Sequence, residues 1–135
     1  MTDRALVEKK LAAIVSAVET LRRTANPDAI RSDIREERFI EHTLQIAIQA
    51  ALDVASHVVS DNTLGEPNTN RALFDLLVRH GFIAQELGAT LSRMAGFRNV
   101  LVHGYDDVDL AIVEDIVKHR LGDLLEFVGA ISKRL

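Results

Sequence analysis

The stretch Arg98-Asn99-Val100-Leu101-Val102-His103-Gly104-Tyr105 places an arginine, a histidine and the chain's one tyrosine inside an otherwise apolar run. Apolar helix faces are built to bury, so three polar groups there need a reason. An arginine presents a rigid fork of donors that matches a phosphate. A histidine is the side chain whose unperturbed pKa lets it take or give a proton near neutral pH. Together they suit phosphate chemistry.

Spacing refines this. Ile83, Leu87, Leu91 and Met94 repeat as one helix face, and its continuation falls on Arg98, then Leu101, then Tyr105. Arg98 therefore stands on a buried seam where an apolar residue is expected. A desolvated guanidinium without an anion is expensive. It pairs with a carboxylate as a structural salt bridge, lines a polar cleft, or receives a phosphate, and periodicity alone does not choose. His103 lies five residues on, about 140° further round an ideal helix. The two converge only if the helix kinks, for which Gly104 offers a place, or if a second subunit completes the site.

A further polar line, Gln45, Gln49, Asp53 and His57, recurs at four-residue spacing upstream. It faces solvent, or it lines the cleft with Asp53 balancing Arg98. His42, His80 and His119 have no convincing partners. No H-E-x-x-H or other metal-ligand spacing occurs, nor a Walker-type loop, G-x-G-x-x-G or G-x-S-x-G, so no metal and no cofactor is expected.

The elements that must position these groups are helical nearly throughout. Val7, Leu11, Ile14, Val18 and Leu21 mark a first helix over about residues 3 to 24, with one buried stripe. Asn26-Pro27-Asp28 interrupts it, and Pro27 suits a new first turn. A second helix is expected from about Asp28 to Ser60, its start charged and solvated (Arg31, Asp33, Arg35, Glu36, Glu37, Arg38). From Ile40 onward Leu44, Ala47, Ala51, Val54 and Val58 form a stripe that Ile48, Leu52, Ala55 and Val59 widen. Asp61 to Asn70 reads as a loop. A short helix over about Arg71 to His80 ends at Gly81, a fourth begins near Ile83, and a last one carries Leu110, Val113, Val117, Leu121, Leu124, Val128 and Ile131. No segment has a convincing period of two. The expected fold is all-α, an antiparallel bundle of four to five helices.

The 135 residues fit a single domain, 1–135. A hydrophobic fraction of 47% with only 4% aromatics implies a core of Leu, Ile, Val and Ala, which favours helix-on-helix packing. The absence of cysteine excludes disulfides and thiolate metal sites. With no visible signal peptide and no run of the ~18 apolar residues that a membrane span needs, a cytoplasmic protein is expected. A formal charge of −4 argues against binding nucleic acid by overall electrostatics, although a local positive cleft stays open.

At these residues the chain resembles the HepT-like proteins, a branch of the HEPN superfamily. Arg98-x4-His103-Gly104-Tyr105 matches their R-x4-H-x-Y motif. Leu44 to Ala50 with Asp53, Ala55 and His57 resembles the second-helix signature. Met94-Ala95-Gly96-Phe97-Arg98-Asn99 leading into Leu101-Val102-His103 resembles the core signature, and Phe74, Leu77, Gly81 and Ile83 the segment between. The resemblance runs from about Arg4 to Leu135. It implies a homodimer of helical bundles whose motif arginines and histidines meet in a shared cleft, and metal-independent endoribonuclease action as the toxin of a toxin–antitoxin pair. Arg98 would hold the scissile phosphate, His103 would transfer a proton during attack by the RNA's own 2′-hydroxyl, and Asn99 would orient the phosphate or the histidine. It also implies a small MntA-like nucleotidyltransferase antitoxin that transfers AMP to Tyr105. The residues by themselves leave two other readings open: a non-catalytic helical binding subunit of a nucleotidyltransferase complex, and a structural bundle in which Arg98 is salt-bridged and Tyr105 caps a helix end.

Overall fold

The computed structural model describes the backbone of residues 3–103 and 108–135, and side chains within those ranges except at 102 and 103. The helices are α1 (Arg4–Thr24), a 3₁₀ turn (Pro27–Ala29), α2 (Ile34–Asp61), α3 (Asn70–Arg79), α4 (Gln85–His103), α5 (Leu110–Asp115) and α6 (Leu121–Ser132). A π turn over Ile116–Arg120 joins the last two into one continuous run. Among the described residues there is no strand, and no helix is long and apolar enough to cross a membrane.

Local chemistry accounts for most boundaries. Asp3 caps α1 by accepting from the Leu6 N–H at 3.1 Å, and Arg22 and Arg23 complement the dipole at its other end. Thr69 caps α3 through the Ala72 N–H at 3.1 Å. That helix closes with the Phe82 N–H on the Leu77 carbonyl at 2.8 Å and the Gly81 N–H on the Val78 carbonyl at 3.1 Å. This double closure needs a left-handed residue, which Gly81 supplies at φ +78°.

Two expectations are corrected. The second helix does not start at Asp28. Pro27 begins only a 3₁₀ turn, and α2 starts at Ile34, where Asp33 accepts from the Arg35 N–H at 2.9 Å and Glu36 and Glu37 fill the first turn. The last helix also keeps a different register from the expected stripe. The π turn inserts a residue, so the buried positions are Val113, Ile116, Leu121, Leu124, Phe127 and Ile131, while Val117 and Val128 are half-buried.

The bundle runs up and down. The Lys10 ammonium of α1 meets Asp53 of α2 at 3.1 Å. Val58 and Asn62 at the end of α2 share a cavity with Phe82, Ile131 and Arg134, and Arg134 stacks over the Phe82 ring 4.1 Å from its centre. The end of α2, the α3–α4 turn and the end of α6 therefore meet at one pole. From there α4 runs back along α2 towards its start. At the opposite pole Arg31 pairs with Glu114, and Lys118 bonds Asp28 at 2.8 Å, which holds α5 beside the start of α2. The core between them is closed: Ile40, Leu44, Leu77, Leu91, Leu101 and Leu124 are at most 1% exposed, and Phe74 and Phe127 meet edge to face with centroids 6.0 Å apart.

Candidate functional site

Arg98 sits in the second half of α4, on the face that buries Leu87, Leu91, Met94 and Leu101. It is half-buried. Its Nε is sealed from solvent with no acceptor. Its Nη1 makes one long bond, 3.4 Å to the Asn99 Oδ1. Among the described residues no carboxylate pairs with it. A guanidinium held this way has lost water on one edge and keeps its other donors for an anion.

Asn99 is exposed on the adjoining face, and its oxygen is turned to Arg98. His103 closes α4 in backbone, but its side chain lies outside the described residues, as do Tyr105 and the Gly104 kink. The convergence of Arg98, His103 and Tyr105 therefore rests on sequence.

Asp53 is a correction. It does not balance Arg98. It accepts from Lys10 Nζ at 3.1 Å and from Gln49 Nε2 at 2.8 Å. Its position on α2 turns it towards α1 rather than α4, so it ties those two helices together. Gln45, Gln49 and His57 of the same line are likewise half-buried, neither openly solvated nor gathered at Arg98. Among the described residues no three His, Asp or Glu side chains come together as a metal site requires.

Two features escaped the sequence reading. Glu41, on α2, is 0% exposed, and neither carboxylate oxygen receives a hydrogen bond. Burial first, and the neighbouring Glu37 charge second, push its carboxyl up to about 7, with Arg38 pulling the other way. Once protonated, it can donate to Glu37, which adds to the rise. The signal was present: Glu41 lies seven residues before Ile48 and three before Leu44, on the widened apolar stripe. The charged run before it disguised this. The second feature is a groove of about 660 Å³ between α4 and α5, floored by Met94, Phe97 and Ile112 and edged by Arg71, Arg93 and Arg120. Its acidic member, Asp115, is engaged by Arg120 at 3.6 Å, so the rim is locally basic on an acidic chain.

The chain is similar to known proteins along most of its length. The mRNA nuclease HepT of Shewanella oneidensis is 29% identical over 128 residues, covering 94% of this chain and 96% of that protein. The tRNA nuclease HepT of Aphanizomenon flos-aquae is 31% identical over 106 residues, covering 77% of this chain and 72% of that protein. Among solved structures, a tri-AMPylated Shewanella oneidensis HEPN toxin in complex with MNT antitoxin superposes with a TM-score of 0.88 at 29% identity, covering 98% of this chain and 99% of that one. The pattern of the ribonuclease HepT-like family matches residues 11–131, and the chain belongs to that family.

Proposed function

We propose that this protein is the toxin ribonuclease of a toxin–antitoxin pair, and that it cuts RNA at an Arg98–His103 site completed by a second copy of the chain. The observation that carries the reading is Arg98 itself: a half-buried guanidinium on a core seam, with no carboxylate partner among the described residues, in a chain of a ribonuclease family.

The chemistry needs no group beyond the chain and the RNA. The 2′-hydroxyl attacks the adjacent phosphorus and His103 accepts its proton. Negative charge grows on the non-bridging oxygens, where the Arg98 Nη groups stabilise it. The bond to the 5′-oxygen breaks and that oxygen takes the proton from the protonated His103, leaving a 2′,3′-cyclic phosphate, a 5′-hydroxyl and a neutral His103. Asn99 steadies the guanidinium. The Arg93 and Arg71 rim of the α4–α5 groove gives the flanking RNA backbone a local positive track.

Control falls to Tyr105. The tyrosine oxygen attacks the α-phosphorus of ATP, held by a partner nucleotidyltransferase, and pyrophosphate leaves. Each AMP adds negative charge and bulk beside Arg98, which excludes RNA. The AMP-bearing, antitoxin-bound state of the similar Shewanella oneidensis toxin supports this assignment.

One cleavage assay with EDTA present tests the whole reading. Wild-type protein is expected to cut RNA, Arg98→Ala and His103→Ala to lose at least a hundredfold, and treatment with the nucleotidyltransferase and ATP to silence wild type but not Tyr105→Phe. Intact RNA alongside a tight complex with the nucleotidyltransferase would instead make the chain a binding subunit.

A further inference from the structure

The groove between α4 and α5 combines an apolar floor with a basic rim. Met94 and Phe97 of α4 lie at its bottom, and Ile112 of α5 stands over it 44% exposed. An exposed apolar patch with a polar border marks an interaction site. Arg71, Arg93 and Arg120 line the groove against one carboxylate, Asp115, which Arg120 engages. Arg93 makes one long bond, 3.5 Å to the Thr90 hydroxyl. Among the described residues neither Arg93 nor Arg71 pairs with a carboxylate.

Gly96 lines the same groove, and nothing within the chain calls for a glycine there. It is exposed in the interior of α4, where glycine weakens a helix. Its φ is not positive, and a Cβ would meet nothing within 4 Å. A bare stretch of backbone suits the close approach of something outside the chain. Three residues on, its neighbour along the helix surface is Asn99, which draws the Arg98 Nη1 at 3.4 Å. A path therefore runs over exposed α4 from the Arg98 guanidinium, past Asn99 and Gly96, into the groove. Beyond Arg93 the surface turns acidic: Glu86, Asp123 and Glu126 line the cavity that adjoins the groove at Thr90, Arg93 and Arg120. An anionic strand is held on the basic side and repelled past it, which limits the path to a short segment.

We propose that the α4–α5 groove is the subsite for the RNA nucleotide flanking the phosphate at Arg98: the strand crosses α4 at Gly96, the base lies on the floor formed by Phe97 and Ile112, and Arg93 and Arg71 hold its phosphate. Single-stranded RNA has both parts of the required chemistry, a charged backbone and flat bases that leave water for apolar and aromatic side chains. A second copy of the chain docked here on a two-fold axis would set the same basic rim against itself. Recognition by stacking and charge is tolerant of sequence, so this subsite adds affinity and position rather than a choice of base. The identity of the ligand rests on the ribonuclease reading above.

The test is the affinity of the full-length protein for a labelled 2′-O-methyl RNA oligonucleotide, which lacks the attacking hydroxyl, read by fluorescence anisotropy. A second oligonucleotide carries abasic residues on both sides of its central linkage. Ile112→Ser should weaken binding of the intact oligonucleotide about tenfold and that of the abasic one hardly at all. Arg93→Gln should weaken both alike and flatten the salt dependence. Gly96→Leu should weaken the intact oligonucleotide about tenfold or more while melting no lower than wild type, because leucine favours the helix and has open space there. Ile46→Ser, at an isoleucine equally exposed on α2, should change nothing. Equal binding of the two oligonucleotides by wild type, an unchanged affinity in Gly96→Leu, or an equal loss in Ile46→Ser overturns the proposal. So does a wild-type dimer that Gly96→Leu or Ile112→Ser turns into monomers by sedimentation, since the groove is then an interface between copies. Cleavage of ordinary RNA separates the two readings. Cleavage without these affinity losses strikes the subsite alone, and the affinity losses without cleavage strike the ribonuclease reading and leave an RNA-binding groove.

Discussion

At the scale of single residues, α4 and α2 each bury a charge that the core does not need, and the two differ in what their removal does. Among the described residues Arg98 donates one weak bond, to Asn99, so its loss strands no described carboxylate. Glu41 has a cost of its own. Its carboxyl, held at about 7 against an ordinary 4.5, binds its proton more tightly in the folded chain than in the unfolded one. The native state therefore gains stability from this group at low pH. That gain is complete below pH 4.5 and is lost as the pH rises through 7. The full span is at most about 3 kcal/mol. Urea unfolding should compare wild type with Glu41→Gln from pH 4 to pH 8. Wild type, which keeps Glu41, should lose stability relative to the variant across that window. A difference that stays flat would mean that Glu41 titrates near 4.5 and is not desolvated.

At the scale of elements, the α3–α4 hairpin makes the sharpest demand. Its turn needs Gly81 in the left-handed region, and its helices approach so closely that a Cβ at Gly88 would stand 2.2 Å from the Val78 Cγ2. Alanine there would gain roughly 1 kcal/mol of helix propensity. It would also drive a methyl into a β-branched side chain that has little rotamer freedom. The clash should win, with Gly88→Ala destabilising by about 1–3 kcal/mol. Adding Val78→Ala should recover part of that loss. Chemical denaturation of the two variants measures it, and an additive loss in the double variant would show that the close approach is not the cause. The same scale shows what could be read from the chain beforehand. The stripes of α1, α2 and α4 were legible because each keeps one helical period from cap to end. The start of α2 was not, because Pro27 suits the opening of a 3₁₀ turn as well as that of a helix, and Asp33 is one acidic residue among many. The register of α6 was hidden by the π turn, since a single inserted residue at 116–120 leaves both flanks locally regular. At the site, Arg98 stood out as a charge on a seam. Glu41 did not, because the run of charges from Arg31 to Arg38 made one more look solvated. The Asp53 pairing failed because spacing along α2 does not say which neighbouring helix a side chain meets.

For the whole molecule, the proposed ribonuclease site makes the isolated chain half of a site. Positions 98 and 103 lie about 140° apart on an ideal helix, and α4 is helical through both, so one copy turns them to different sides. A cleft between two copies removes the difficulty if each phosphate is gripped by the arginine of one chain and served by the histidine of the other. Mixed dimers test this directly. Chains carrying Arg98→Ala and chains carrying His103→Ala are each expected to be inactive. On random reassociation half of the dimers are mixed. In a two-fold dimer a mixed pair has one cleft half with both intact groups and one with neither. Cleavage should then return to about a quarter of the wild-type rate, since half of the dimers carry half of the sites. If both groups act from the same chain, every cleft half in the mixture lacks one of them and activity stays at background.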